Sequence, residues 1–345
     1  MKCFCTYRMI VAAGMIAAAL PCHAADSDSR RVMVDPKNPK AFATLREAAQ
    51  NLKPGDTLWI APGSGPYREP LFIAASGTEA APIVIEGNGN EITGFDPLVF
   101  STGADGTQTA VAKVKYPFVL RHQGKRVPED AATGQFTGGI SYDSNLGRLT
   151  LAPGTSPEGW EISARLFAVR IFNVSHHTYR NLSATGSLND GFNLHGTGDK
   201  LLFEHITGSQ NLDEGFSSHE TINSEIQQGD FFENDNGVLN GQKTNTILSQ
   251  VDLHDNLGIG MGFGGESTVK AENVRIWGNG MTQLAMRAGV IARFKNVQVY
   301  QSAQTTRQWL SYMESAKDTK RKTAIIDKNF SWEEEKPQIL DQSSP

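Results

Sequence analysis

The sequence predicts an all-β protein: a right-handed parallel β-helix (solenoid) with an N-terminal capping helix and an inserted β-module. One apolar position returns at Leu182, Ile206, Phe231, Leu253, Ile276 and Val299, in steps of 24, 25, 22, 23 and 23 residues. A second apolar file runs through Phe192, Phe216, Val238, Met261 and Leu284, in steps of 24, 22, 23 and 23. Periods this short and constant mark a solenoid. The segments carrying them alternate over short runs (Val251 and Leu253, Val274 and Ile276, Val297 and Val299), which is strand period, and no stretch between them is long enough for a crossover helix. Coils of such a fold stack about 4.8 Å apart, so residues one repeat apart become neighbours on the wall.

Taken in order, residues 1–24 read as a secretory signal: Lys2 and Arg8, an apolar run from Met9 to Leu20, then Cys22-His23-Ala24. Export to the periplasm or the exterior is the expectation. All three cysteines (Cys3, Cys5 and Cys22) lie in that segment, which leaves the remainder without a disulfide framework or a thiolate metal site. Without it, 30 basic and 37 acidic residues remain, a net charge of 30 − 37 = −7 against −5 for the whole chain. That balance carries no nucleic-acid footprint, and no second long apolar run predicts a membrane span.

Residues 25–99 are expected to form the cap and first coils. Thr44 to Leu52 reads as a short amphipathic helix with Thr44 as N-cap and Glu47 at capping-box spacing. Lys53 to Asp56 is a turn, and Thr57 to Ala61 and Pro82 to Gly87 are strands. Residues 100–160 break the period and read as the inserted module, whose basic cluster Arg121, His122, Lys125 and Arg126 faces either an acidic sugar or solvent. Coils resume over 161–305. A cap and tail follow over 306–345, with a helix expected at Trp309 to Lys322 and an acidic run at Glu333 to Glu335.

The stretch PGDTLWIAPG, then YREPLFI, SGTEAAPIVIEG and EITG, resembles the opening of pectate-lyase-like β-helix proteins, which include secreted polysaccharide lyases and related carbohydrate-active proteins. The resemblance covers residues 40–94 by motif and 165–302 by repeat. It implies a polysaccharide or oligosaccharide partner.

Two constellations carry chemistry. Aligned on the second file, His195, His219, Gly241, Gly264 and Arg287 form one outward column, a notch of two glycines between a histidine pair and an arginine about 14 Å from His219. It serves as a polymer groove or is a plain polar surface file. Just before the strands, Asn189-Asp190-Gly191-Phe192 and Asp213-Glu214-Gly215-Phe216 place Asp190 and Glu214 in one column and Asn189, Asp213 and Asp235 in another. Like charges this close push one pKa up and divide acid from base; the competing reading is a hydrogen-bonded ladder of Asn and Asp at turns. The adjacent-coil spacing is nearer that of retaining than of inverting glycosidases.

The carboxylate pair is similar to the adjacent-coil aspartates of polygalacturonases, with Asp190 matching the first and Asp213 the second. The next coil has Asp235-Asn236-Gly237 where that family has Gly-His-Gly, and no Arg-x-Lys follows. Asp252-Leu253-His254-Asp255 resembles the Asp-Pro-His-Asp motif of mannuronan epimerases with Leu for Pro, and reads otherwise as an ordinary turn.

The expectation is therefore an exported enzyme cleaving a uronate-containing polysaccharide in a wall groove. Elimination with His195 or His219 as base is slightly favoured over hydrolysis by Asp190, Asp213 and Glu214. Asn193, Lys243 and Arg287 are the expected substrate contacts, and Trp277 and Tyr179 are stacking or packing residues. Calcium is a candidate ligand of Asp190, Asp213, Glu214 and Asp235. The rival reading is a non-catalytic β-helix that binds glycans or cell-surface polymers.

Overall fold

The structure, a computed structural model, describes residues 29–130, 133, 135–300, 322–326, 331–332, 336–340, 342, 344 and 345. The expected signal segment, nearly all of the expected helix at 309–322 and the acidic run at 333–335 lie outside the described residues.

The chain coils as a parallel β-helix with two long parallel sheets. Among the described residues the first has 11 strands, including Ile83–Thr93, His177–Thr185, Thr197–Ser209, Thr221–Phe232, Asn245–His254, Thr268–Trp277 and Ile291–Tyr300. The second has 8 described strands, including Leu71–Phe72, Val169–Phe172, Phe192–His195, Glu214–Ser218, Asn236–Asn240, Ile259–Phe263 and Thr282–Met286. Each long strand of the first sheet bends at a left-handed residue, and that position recurs at Asn181, His205, Gln228, Gln250, Asn273 and Asn296 with φ between 51° and 60°. A bend at the same point of every coil preserves register on both sides of it. Outside the corner, Asn296 Nδ2 donates to Asn273 Oδ1 at 2.7 Å, which links neighbouring bends.

The second apolar file is one interior column: Phe192, Phe216, Val238, Met261 and Leu284 pair in succession and are fully buried. The first file is buried throughout but slips once. Ile206 pairs with Gly229, and Phe231 with Gly208. Leu182 and Ile206 therefore continue through Val251, Val274 and Val297, while Phe231, Leu253, Ile276 and Val299 continue the column of Ala184. The cause is volume. A Cβ on Gly208 or on Gly229 would stand 2.8 Å from the Phe231 ring, so two glycines clear the space that one phenylalanine fills.

At the N-terminal end the helix spans Leu45–Ala49 and turns Leu45, Ala48 and Ala49 onto the core. Thr44 accepts from Glu47 N at 3.1 Å, the expected cap. The other two free amides are taken by Glu69, which accepts from Leu45 N at 2.9 Å and Arg46 N at 3.2 Å.

Between Phe95 and Ser163 the strands pair antiparallel with one another, around a separate core that includes Phe118, Leu149 and Trp160. Leu188 packs on this core, and Arg126 Nη1 donates to the carbonyls of Asn211 at 2.9 Å and Glu233 at 2.6 Å. The module thus stands beside the turns that precede the second-sheet strands. Its basic cluster is not free for an acidic sugar. Arg121 pairs with Glu91 at 2.7 Å and Glu161 at 2.6 Å, and His122 stacks on Trp160 at 4.1 Å, so only Lys125 stays exposed.

Candidate active site

The turn from first to second sheet is fixed by a buried amide ladder. Asn211 Nδ2 donates to Asn234 Oδ1 at 2.9 Å, Asn234 Nδ2 to Asn256 Oδ1 at 3.0 Å, and Asn256 Nδ2 to Asn279 Oδ1 at 2.8 Å. Each acceptor also takes the backbone amide of the donor's residue at 3.1 Å. Buried amides demand such partners, and the stack satisfies them. Against it lies a column of small residues: a Cβ on Gly191 would meet Asn211 Nδ2 at 2.6 Å, and one on Gly215 would meet Asn234 Nδ2 at 2.8 Å. This is the physical reason for glycine after Asp190 and after Glu214. The ladder is made by residues two to three positions upstream of the carboxylates, which are left for other work.

Asp190, Asp213 and Glu214 converge, with one carboxylate oxygen from each lying within 4.8 Å of the other two. Asp190 and Glu214 are buried, at 2% and 5% exposure, while Asp213 is partly exposed. Burial, the Asp190 and Asp213 charges and hydrogen bonds to both hold the Glu214 pKa well above the ordinary carboxylate range. Burial first and the Asp190 charge second raise Asp213 to about 6. These surroundings favour the protonated form of Glu214, which hydrogen-bonds Asp190 and Asp213. Asn193 Nδ2 donates to Asp190 Oδ2 at 2.6 Å, Asn189 Nδ2 to Asp213 Oδ2 at 3.3 Å and Asn236 Nδ2 to Glu214 Oε1 at 3.0 Å.

The histidine column points outward, and the imidazoles of His195 and His219 stack 4.3 Å apart at 13°. His195 Nδ1 donates to Glu220 Oε2 at 3.1 Å. Burial, then the neighbouring His195, lowers the His219 pKa, so it is neutral at physiological pH. Its Nε2 shares a hydrogen bond of 2.6 Å with the buried Ser217 Oγ. Ser217 is paired in the ladder with Asn193, so the histidines and the carboxylates share one wall.

Several expected residues stand elsewhere. Asn193 is 2% exposed and bonds Asp190, so it positions a carboxylate and does not face a substrate. Lys243 is exposed and pairs with Glu266 at 3.5 Å. Arg287 is exposed beside Gly264, on a coil beyond the histidines. Tyr179 is buried core, stacked on Phe203 at 5.1 Å. Trp277 stacks on His254 at 4.4 Å on the first sheet, away from the carboxylates. Asp235 lies outside the three-carboxylate group and accepts from Asn236 at 3.1 Å, so the calcium set expected from sequence loses one of its four members. Ser217, Glu220 and Asn236 were not expected; the step of 24 from Asn193 to Ser217 and the register from Glu214 to Asn236 carried that signal.

Fold and site together define a parallel β-helix with a cluster of three carboxylates, two of them buried, on its wall. A solved glycoside hydrolase is similar to this chain with a TM-score of 0.53 and 11% identity, over 81% of this chain and 89% of its own. The pectate lyase Pel9A gives a TM-score of 0.47 at 15% identity, over 80% and 70%. A GH136 lacto-N-biosidase from Eubacterium ramulus gives 0.31 at 11%, over 90% and 67%. At such identities the likeness is one of fold. No family model matches the sequence, and the search of curated proteins gives no match.

Proposed function

We propose that this protein is an exported glycoside hydrolase that cuts a uronate-containing polysaccharide lying along the second sheet, with Glu214 as general acid and Asp213, held in place beside Asp190, as the acting carboxylate. The observation that carries this reading is the convergence of three carboxylates within 4.8 Å, in which burial and the two neighbours raise the pKa of Glu214. A carboxylic acid that stays protonated near pH 7 beside an ionised one is the acid and base pair that glycosidic cleavage uses.

Elimination, the reaction the sequence slightly favours, needs a free base and a cation on the uronate carboxylate. His219 Nε2 is engaged by Ser217, which supports hydrolysis over elimination.

The test is incubation with a panel of acidic and neutral polysaccharides, with and without calcium, following reducing ends and unsaturated-uronate absorbance together. Reducing ends without absorbance, lost in Glu214→Gln, are expected. Absorbance rising with the ends and lost in His219→Ala would replace hydrolysis by elimination, and neither signal would leave a binding protein.

A further inference from the structure

We infer that Arg170, with the phenylalanines around it, is the subsite that reads an acidic sugar unit next to the cleavage point. Arg170 lies on the outer face of Val169–Phe172, paired with Asn193 on one side and Phe72 on the other. Asn193 is the residue bonded to Asp190. The Arg170 backbone is thus one rung, about 4.8 Å, along the axis from Asn193, which holds Asp190 in place. Phe172 pairs with His195, so the same rung also abuts the histidine stack.

Its surroundings differ from those of six other described arginines. Arg30, Arg68, Arg121, Arg165, Arg180 and Arg275 each pair with a carboxylate. Arg170 is exposed and makes no ion pair or hydrogen bond among the described residues. It stands 5.7 Å from the Phe72 and Phe167 ring centroids and 5.4 Å from that of Phe172. Phe72 and Phe172 are 42% and 40% exposed, among the few large apolar side chains that face solvent. Rings offering apolar faces around a guanidinium with unmet donors match a pyranose, whose C–H face stacks and whose anionic substituent takes a bidentate contact.

Charge gives the second argument. The wall carries three clustered carboxylates in a chain of net charge −5, a field that repels an acidic polymer. A cation one rung away offsets that repulsion and fixes which unit sits beside the cluster. The inference rests on the hydrolase reading for its direction along the groove, but recognition itself can be measured without cleavage.

The anion is either a carboxylate or a sulfate, and the experiment separates them. Glu214→Gln in the full chain would be titrated by calorimetry with a uronate oligosaccharide, a sulfated oligosaccharide and the carboxyl-reduced neutral form of the first, at low and moderate salt. One acidic probe is expected to bind with a salt-dependent affinity, to weaken at least tenfold when Arg170→Gln is added, to recover only in part with Arg170→Lys, and to weaken with Phe172→Ala. The more affected probe names the anion. Equal binding of acidic and neutral forms, no effect of Arg170→Gln, or no binding of any acidic probe would overturn the inference. Cleavage of a neutral glycan abolished by Glu214→Gln would leave the hydrolase standing without this subsite; Arg170-dependent binding with no cleavage would do the reverse.

Discussion

Asn193 Nδ2 donates to Asp190 Oδ2 at 2.6 Å, with both side chains 2% exposed. The bond fixes the carboxylate that presses on Glu214 and Asp213, so Asn193 acts through Asp190. Removing a hydrogen bond to a charged group costs about 1.5–3 kcal/mol, which corresponds to about 10–100-fold in rate. Asn193→Ala is expected to lower kcat by that factor with KM nearly unchanged, and to move the pH profile because Asp190, whose charge raises the pKa of Asp213 and Glu214, is no longer held beside them. An unchanged pH profile would make the bond merely structural.

Glu214 and Asp213 separate acid from base, and each predicts its own variant. Glu214→Gln keeps the shape and the hydrogen bonds but has no proton to give, so kcat is expected to fall by about 10²–10⁴ with the unfolding temperature held or raised. A normal rate in Glu214→Gln would remove it from the chemistry.

Asp213 carries a stability cost whose sign can be worked out. Its pKa rises from 3.8 to about 6 on folding, so the folded state binds the proton more tightly than the unfolded one. The destabilisation is therefore absent below 3.8, grows between 3.8 and 6, and is complete above 6. Asp213→Asn removes a charge that desolvation and Asp190 oppose. It is expected to abolish activity while raising the unfolding temperature by a few degrees at pH 7.5, and to leave it unchanged near pH 3.5, as followed by circular dichroism. The acid limb of kcat/KM in the parent protein is expected near pH 6.

His254 predicts the opposite dependence on the other sheet. Burial opposes its charge, but Asp230 at 3.1 Å and Asp255 at 2.9 Å outweigh burial and raise its pKa to about 9. A histidine whose pKa rises on folding stabilises fully below its unfolded value of 6.5, and that contribution disappears as pH rises through about 9. The difference in unfolding temperature between the parent and His254→Gln is expected to be largest at pH 6 and to shrink toward pH 9.5.

The solenoid was legible because burial repeats. Phe192, Phe216, Val238, Met261 and Leu284 had to line one interior, and the register follows their spacing. The slip at Phe231 was hidden because a period counts apolar residues and cannot weigh the absence of side chains at Gly208 and Gly229. Asp190, Asp213 and Glu214 were placed together by the same count, but the raised pKa of Glu214 depends first on burial, which comes from the whole wall. Arg126 read as a free cation because its partners, the carbonyls of Asn211 and Glu233, are backbone groups about 85 and 107 residues away. Nothing in a linear pattern marks a carbonyl as waiting for a guanidinium.

The ladder and the glycine column predict how the fold and the site are coupled. In Gly215→Ala the new Cβ would meet Asn234 Nδ2 at 2.8 Å and Gly237 O at 2.9 Å, and neither the stacked amide nor the strand backbone can retreat. Overpacking of this kind costs about 1–3 kcal/mol, and the shift falls on the residue directly after Glu214. Asn234→Ala attacks the other partner. It strands the Asn211 amide and the Gly208 carbonyl, each of which Asn234 now satisfies, at about 1–3 kcal/mol per group. Both variants are expected to unfold earlier in urea. In a cycle of the two, the costs are expected to add to less than their sum, because truncating Asn234 also removes the atom that the alanine methyl meets. Strict additivity would mean that the glycine and the ladder act independently, and that the position of Glu214 is set by something other than their contact.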